Sequence, residues 1–294
     1  MNTETTSPLT APLIALDTDT GTSGEIAYWR LGGAISADAL SAALESAGID
    51  CPDCPTATPA TALKRAMEDV ARTGSDLVRR HPKGGYIVIH ERSDETGEHL
   101  EHTEGLRCWY EGTRADGRLA FNYPGHKLCS EIRDRFRFYL GHCTSREICA
   151  WLPMVLVHHL DAVSLRPGGG MYYVPAPTVR QWRKLTAQVS DLSDSRFFAV
   201  PALTTDDAVE AILDGLVNEA QSLADDMDRE LERENIGERA LDTQHARCDR
   251  FLGKLQRYEA ILGQKLGHVA EGIVELTCAI TEKIATVQVR KAAN

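Results

Sequence analysis

Residues 59–90 read PATALKRAMEDVARTGSDLVRRHPKGGYIVIH, and this stretch decides the predicted fold. Its first half places apolar residues at the spacing of one helix face: Leu63, Ala66, Met67 and Val70. We therefore predict a helix over residues 59–72. The turn sequence Pro-Lys-Gly-Gly at 82–85 then joins a basic strand to the apolar strand 86–90, which predicts a β-hairpin after the helix.

The residues around this stretch supply further elements. Residues 25–31 predict a strand, and Ser36 is placed to cap a helix over residues 37–47. A Pro/Cys/Thr linker, residues 50–58, separates the two helices. Two more strands are predicted downstream, at 106–111 and 119–123. Because helix, linker, helix and basic hairpin follow in this order, we predict a winged-helix-like α+β domain over residues 25–125.

A winged helix places its second helix in the major groove of DNA and its hairpin on the adjacent backbone, so both elements need cations. Residues 62–83 carry six cations against three acids, whereas residues 1–50 carry one cation against seven acids. The candidate nucleic-acid-binding residues here are Lys64, Arg65, Arg72, Arg79, Arg80 and Lys83. Two alternatives remain open, namely an ordinary solvated face and a protein-docking module.

Residues 126–203 predict a second helical and hairpin α+β domain. Thr144 and Glu147 have the spacing of a capping box, and Gly168–Gly170 form the tip of a hairpin. A helix beginning near Thr178 carries three further candidate nucleic-acid-binding residues beside Trp182: Arg180, Arg183 and Lys184.

The C-terminal segment, residues 204–294, predicts a long antiparallel helical hairpin that packs as a coiled coil. Its first helix extends to about residue 235, and its second extends from about residue 238 to 287. Six apolar residues recur at heptad spacing and form a predicted oligomer seam: Leu241, Cys248, Leu255, Leu262, Val269 and Leu276. We expect a homodimer through this seam, and packing against the rest of the chain is the alternative.

Composition narrows the functional classes. The net charge of −11 disfavours a polyanion-binding surface over the whole molecule, although a local basic face stays possible. Residues 1–24 predict a flexible tail without the pattern of a secretion signal. The chain has no run of eighteen apolar residues, so we expect a cytoplasmic protein without a membrane partner.

Cofactor and metal signals are weak. Cys51 and Cys54 have CxxC spacing, but a zinc site would need a second pair, for which the candidates are His142, Cys143 and Cys149. The same spacing suits a redox pair, and incidental reduced thiols are the simpler interpretation. Three glycines at 168–170 precede a strand and not the helix that a nucleotide loop requires. We therefore predict no metal, no cofactor and no enzymatic activity.

Three segments carry a resemblance to a known family: Tyr28-Trp-Arg-Leu-Gly-Gly33, Gly168-Gly-Gly-Met-Tyr-Tyr-Val-Pro175 and Gly237-Glu-Arg-Ala-Leu241. The chain resembles, from about residue 25 to 275, a family of uncharacterised proteins of unknown function encoded by bacteriophages, plasmids and bacterial genomes. This resemblance implies a mobile-element context and no catalytic residues.

These observations predict a non-enzymatic, DNA-associated, self-assembling protein that serves replication, partition or transcriptional control. One alternative is a protein-binding adaptor whose acidic coiled coil docks or inhibits a host protein. Another is a single-stranded DNA binding or annealing protein, for which Trp109, Tyr110, Tyr172 and Tyr173 would be the stacking platforms.

Overall fold

The computed structural model describes residues 22–51, 54–72, 76–93, 100–114, 116–203, 205–231, 237–263 and 266–292. Within these ranges the chain is mixed α/β, with eight helices and three sheets. It divides into a central unit, residues 27–199, and a terminal unit, residues 1–26 and 200–294. The two units are described separately below.

The strands and helices alternate irregularly along the chain. The strands are β1 (Thr22–Arg30), β2 (Ala34–Ser36), β3 (Asp76–Arg80), β4 (Tyr86–Ser93), β5 (Leu100–Glu111), β6 (Arg118–Phe121), β7 (His142–Thr144), β8 (Val163–Ser164), β9 (Tyr172–Pro175) and β10 (Arg196–Leu203). The helices are α1 (Ala37–Ala47), α2 (Pro59–Arg72), α3 (Leu128–Gly141), α4 (Ser145–His159), α5 (Ala176–Leu192), α6 (Asp206–Leu231), α7 (Glu238–Leu262) and α8 (Gly267–Ala292).

The first core of the central unit lies between the sheet β10-β1-β9-β8 and three helices, α1, α4 and α5. Helix α1 begins where the Ser36 hydroxyl accepts a hydrogen bond from the Ala39 N–H at 3.2 Å. It ends at Gly48, whose φ of 68° is a left-handed conformation that favours glycine. Helix α4 begins with the predicted capping box of Thr144 and Glu147. These local signals place the helices, and their apolar faces then bury Leu40, Leu152 and Trp182.

The second core packs α2 and α3 on one face of the antiparallel sheet β3-β4-β5-β6. The predicted face of α2 is confirmed, because Leu63, Ala66 and Met67 are buried there. They contact the sheet side that carries Val88 and Leu106. The hairpin at residues 80–86 is thus part of a four-stranded sheet.

The predicted winged-helix fold is wrong. A helix-turn-helix needs both helices in one core, but α1 lies in the first core and α2 in the second. The hairpin predicted as a wing is the first half of the β3–β6 sheet. Moreover, β6 and α3 contribute to the same core, although they flank the expected domain boundary at 125–126.

The predicted C-terminal hairpin of two long helices is also wrong, because the terminal unit contains α6, α7 and α8. Helix α7 ends at Gly263, where φ is 67° and the N–H bonds to the Glu259 carbonyl, and α8 begins at Gly267. The chain therefore turns where one continuous helix was expected. The predicted seam packs inside this unit, since the Cys248 Sγ lies 3.2 Å from the Met227 Sδ of α6.

The remaining seam positions agree with internal packing and give no support to the expected homodimer. Leu241 and Leu255 are buried, Leu262 is half-buried, and Val269 is buried on α8. The side chain of Leu276 lies outside the described residues. Residues 1–21 of the predicted tail also lie outside them, whereas β1 begins at Thr22. Among the described residues, no helix is both long and apolar enough to cross a membrane.

Candidate nucleic-acid interface

Strand β1 alternates between the two faces of its sheet. Trp29 points into the first core, where its ring stacks on Tyr172 with 5.3 Å between centroids. Tyr28 and Arg30 are both exposed and project from the opposite face. The same alternation on β10 exposes Arg196 and Phe198. Two neighbouring strands therefore present aromatic and cationic side chains to solvent.

These four residues, Tyr28, Arg30, Arg196 and Phe198, form what we name the platform. The rings of Tyr28 and Phe198 stack with 4.9 Å between centroids and 15° between planes, although they are 38% and 43% exposed. Ser23 contacts Ala202 and Gly32 contacts Ser195, so β10 runs antiparallel to β1. Together with the Tyr28–Phe198 ring pair, this direction places Arg30 and Arg196 as neighbours on the same sheet face.

A cavity of about 650 Å³ adjoins the platform and is lined by both of its arginines and Phe198. Its floor is the loop between α5 and β10. The Ser195 hydroxyl bonds to the N–H and the carbonyl of Gly32, each at 3.3 Å, and the Ser193 hydroxyl donates to the Val189 carbonyl at 2.8 Å. Gly32 lets the loop approach closely, since a Cβ there would lie 3.1 Å from Asp194. The cavity is therefore built on a fixed loop.

The charges of the platform are not balanced by ion pairs. Neither Arg30 nor Arg196 forms an ion pair with a described residue, although Asp194 lines the same cavity. Like charges that face each other across two strands destabilise a sheet. An anion between the guanidinium groups would relieve that repulsion, and exposed rings beside it offer a surface for stacking.

The cations predicted on α2 are mostly engaged in ion pairs. Arg65 donates to Glu147 at 2.7 Å, and its guanidinium lies 5.8 Å from the ring centre of Tyr139. Lys64 pairs with Glu68 at 3.6 Å, and Arg72 pairs with Asp69 at 3.7 Å. Because Glu147 also closes the capping box of α4, Arg65 joins the two cores.

The cations predicted on the β3–β4 hairpin remain accessible. Arg79, Arg80 and Lys83 are exposed, and within the described part of the chain none has an ion pair. Arg107 of β5 braces the hairpin tip by donating to the Lys83 carbonyl at 2.7 Å. The guanidinium of Arg107 also lies 4.6 Å from the ring centre of Trp109. The hairpin end of this sheet is therefore basic.

The cations predicted on α5 lie on its exposed face. Arg180, Arg183 and Lys184 are exposed, and the Lys184 ammonium donates to the Ser46 carbonyl at the end of α1. Gln181 of the same helix donates to the Gly48 carbonyl at 2.8 Å. Lys184 and Gln181 therefore bind the C-terminal end of α1.

The aromatic residues predicted as stacking platforms are largely enclosed. Tyr172 and Tyr173 are buried, with 4% and 1% of their surface exposed. Tyr110 packs against Phe136 of α3 and donates to the Thr113 carbonyl. Trp109 is half-buried and donates to Glu111 at 2.7 Å. The aromatic surface of the platform lies elsewhere, at residues that the sequence argument did not select.

The cysteines give no metal site among the described residues. Burial, with the nearby Cys54, raises the pKa of the half-buried Cys51 thiol to about 11. Burial likewise raises the pKa of Cys108 and Cys143 to about 12. Raised pKa values keep these thiols neutral and unreactive at ordinary pH. They therefore behave as small buried groups.

The sequence contains one local signal for the platform. Tyr28 and Arg30 stand two residues apart in a predicted strand, as do Arg196 and Phe198. Two residues that stand two positions apart in a strand place their side chains on the same face of the sheet. The pairing of β1 with β10 was not predictable from that spacing, because about 170 residues separate the strands along the chain.

One protein-family model matches residues 24–292, and it describes a family of unknown function (DUF6744). No curated protein and no solved structure matches the chain. The family match agrees with the predicted resemblance to a family of unknown function. The phage or plasmid origin that the resemblance implies stays a prediction.

Proposed function

The chain belongs to the DUF6744 family, and we propose that it is a non-enzymatic protein that binds single-stranded nucleic acid through the platform. The observation that carries this proposal is the exposed ring pair of Tyr28 and Phe198 beside two arginines that line one cavity, Arg30 and Arg196. Aromatic rings on a sheet stack with unpaired bases, and arginines bind the phosphates between them.

Single strands suit this geometry better than a duplex. The rings can stack only with bases that are free from their own neighbours, and no base face is free inside a duplex. Duplex recognition by a helix in the major groove loses its basis with the winged-helix fold, since α2 packs in a different core from α1 and its Arg65 pairs with Glu147 at 2.7 Å. We therefore expect weak dependence on base sequence.

Fluorescence anisotropy with labelled oligonucleotides tests the proposal. We expect a single strand of about 15 nucleotides to bind more tightly than the matching duplex. The double substitution Tyr28→Ala/Phe198→Ala should weaken binding about tenfold or more, since stacking contributes ~1–3 kcal/mol per base. Substitution Arg30→Gln/Arg196→Gln should also lower the slope of log affinity against log salt by about 1.4, because two phosphate contacts are lost.

Matched variants separate the platform from general surface effects. Tyr123 is 63% exposed and lies in the loop before α3, so Tyr123→Ala controls for loss of an exposed ring. Arg137 has a 74% exposed side chain on α3, so Arg137→Gln controls for loss of an arginine. Both should bind as the wild type does. Absence of binding at low salt, or equal affinity of the platform variants and the wild type, would refute the proposal.

The basic hairpin remains a second predicted contact. Its exposed cations, Arg79, Arg80 and Lys83, fit the phosphates of a bound strand. Charge reversal by Arg79→Glu/Arg80→Glu should therefore weaken binding and flatten its salt dependence. If only this variant weakens binding, the hairpin is the binding surface and the platform is not.

A further inference from the structure

A second cavity in the central unit, of about 520 Å³, has a different composition. One wall is apolar and consists of Trp29, Leu31 and Tyr172. The lining also includes one face of α4, since Arg146, Cys149 and Pro153 follow each other at intervals of three and four residues. This volume falls in the range of small-molecule sites.

Arg146 carries the one formal charge among the residues that line this cavity. It is exposed, and among the described residues no carboxylate forms an ion pair with it. Two N–H groups at the start of α4 are already bonded: the Ser145 N–H donates to the Gly33 carbonyl at 3.2 Å, and the Glu147 N–H donates to the Thr144 side chain. The positive charge in the cavity therefore comes from the guanidinium.

Pro153 adds a hydrogen-bond acceptor to the same helix face. A proline inside a helix has no N–H, so the carbonyl of the residue four positions earlier loses its helical donor. That residue is Cys149, which lines the cavity and is exposed. The same helix face thus carries a cation and a carbonyl that lacks its helical donor.

A loop of three glycines closes the cavity without filling it. Gly168, Gly169 and Gly170 have φ values of 82°, 81° and 94°, which side chains rarely allow. At Gly169 a Cβ would also lie 2.6 Å from the Tyr172 hydroxyl. The loop therefore lies against the buried Tyr172, and the half-buried Trp29 and Leu31 are the part of the apolar wall that a ligand can reach.

We propose that this cavity binds a small molecule with a planar ring, an amino group and one anionic group. The ring packs on the half-buried Trp29 and Leu31, the anion pairs with Arg146, and the amino group donates to the Cys149 carbonyl. Two sources share this chemistry, an aminated nucleoside monophosphate and an aromatic amino-carboxylate. The site is independent of the platform, with which it shares no lining residue.

Alkylation of Cys149 by N-ethylmaleimide, followed by peptide mass spectrometry, tests occupancy of the cavity in the full-length protein. We expect millimolar AMP or 4-aminobenzoate to slow this alkylation, and the more protective of the two identifies the source. Adenosine and inorganic phosphate should each protect less, because each lacks part of the required chemistry. Cys278 of α8 is also exposed and serves as the internal control, whose alkylation rate should stay unchanged.

Substitution Arg146→Gln should weaken the protection about tenfold, because ion-assisted hydrogen bonds are the strong ones. Arg166→Gln is the matched control, since Arg166 is exposed beside the glycine loop and does not line the cavity. Protection by inorganic phosphate equal to that by AMP would overturn the proposal, as would full retention of protection in Arg146→Gln. An unchanged alkylation rate with both ligands would overturn it as well.

Discussion

Replacement of Arg196 by threonine should stabilise the free protein and weaken strand binding. Arg30 and Arg196 line one cavity, and neither forms an ion pair with a described residue. Side chains on opposite positions of neighbouring strands have Cβ atoms about 5 Å apart, and two like charges about 6 Å apart in water repel by ~0.7 kcal/mol. At 10 mM salt most of this repulsion persists, whereas at 150 mM it falls to roughly half because the Debye length is about 8 Å. We therefore expect a gain of ~0.5 kcal/mol at low salt.

The loss of affinity should have the opposite sign and a larger size. One charge-assisted bond to a phosphate contributes ~1.5–3 kcal/mol, so the dissociation constant should rise at least about tenfold. Substitution Asp194→Asn removes a carboxylate from the same cavity and should strengthen binding, which makes it the companion variant. Electrostatics at this site therefore predicts that the dissociation constant rises in Arg196→Thr and falls in Asp194→Asn.

Urea unfolding followed by tryptophan fluorescence measures the stability of the relevant unit. All four tryptophans, Trp29, Trp109, Trp151 and Trp182, lie in the central unit. The readout is the salt dependence of the stability change, because the strand propensity of threonine does not vary with salt. A destabilised Arg196→Thr protein, or one with wild-type affinity, would refute the reasoning.

Three further substitutions or treatments test the packing. Glu147→Gln removes the charge that pairs with Arg65 but keeps the capping box, whereas Glu147→Ala removes both. In urea titrations Glu147→Ala should therefore lower the free energy of unfolding by about 1 kcal/mol more than Glu147→Gln. The Lys254 ammonium is buried and lies 2.7 Å from Glu219, so Lys254→Ala should cost ~3 kcal/mol by circular dichroism, whereas Lys254→Met/Glu219→Leu should cost far less. Burial raises the pKa of Cys51 to about 11, so its thiol is neutral at pH 8. Its alkylation, followed by mass spectrometry, should be roughly a hundredfold slower at pH 8 than that of a thiol with pKa 9, and its rate should rise up to pH 11.

Local elements were predictable because their signals are local. The helix over residues 59–72 and the turn at 82–85 are confirmed, since an apolar stripe and a Pro-Lys-Gly-Gly turn each act within a few residues. The helix over 37–47 is confirmed for the same reason, with its cap at Ser36 and its end at Gly48. Nothing beyond the segment itself was needed to place these elements.

Packing partners were not predictable in the same way. An apolar stripe indicates that a helix buries one face, but it does not identify the surface that covers it. Helices α1 and α2 therefore matched a helix-turn-helix pattern while belonging to two cores. In the terminal unit the heptad spacing continued across Gly263, because the helices on both sides bury apolar residues at compatible positions. The glycines at 263 and 267 were the available signal for the break.

The candidate site depended on long-range pairing even more strongly. Charge counting selected Arg65, but its partner Glu147 stands 82 residues away and becomes adjacent only in the folded chain. Conversely, charge counting did not select Arg30 and Arg196, because each is the single cation of its strand. Their apposition exists only after β1 and β10 pair.

Net charge for the whole chain gives a misleading guide to binding. The central unit carries 21 Lys and Arg against 21 Asp and Glu, so the terminal unit accounts for all of the net charge of −11. Since salt screens exposed charges beyond about 8 Å, a strand responds to the cations that it touches and not to the sum. Two platform arginines alone predict a salt slope of about −1.4, and the three exposed hairpin cations would bring it to about −3.5. The measured slope of log affinity against log salt therefore shows whether a bound strand contacts the platform alone or the basic hairpin as well.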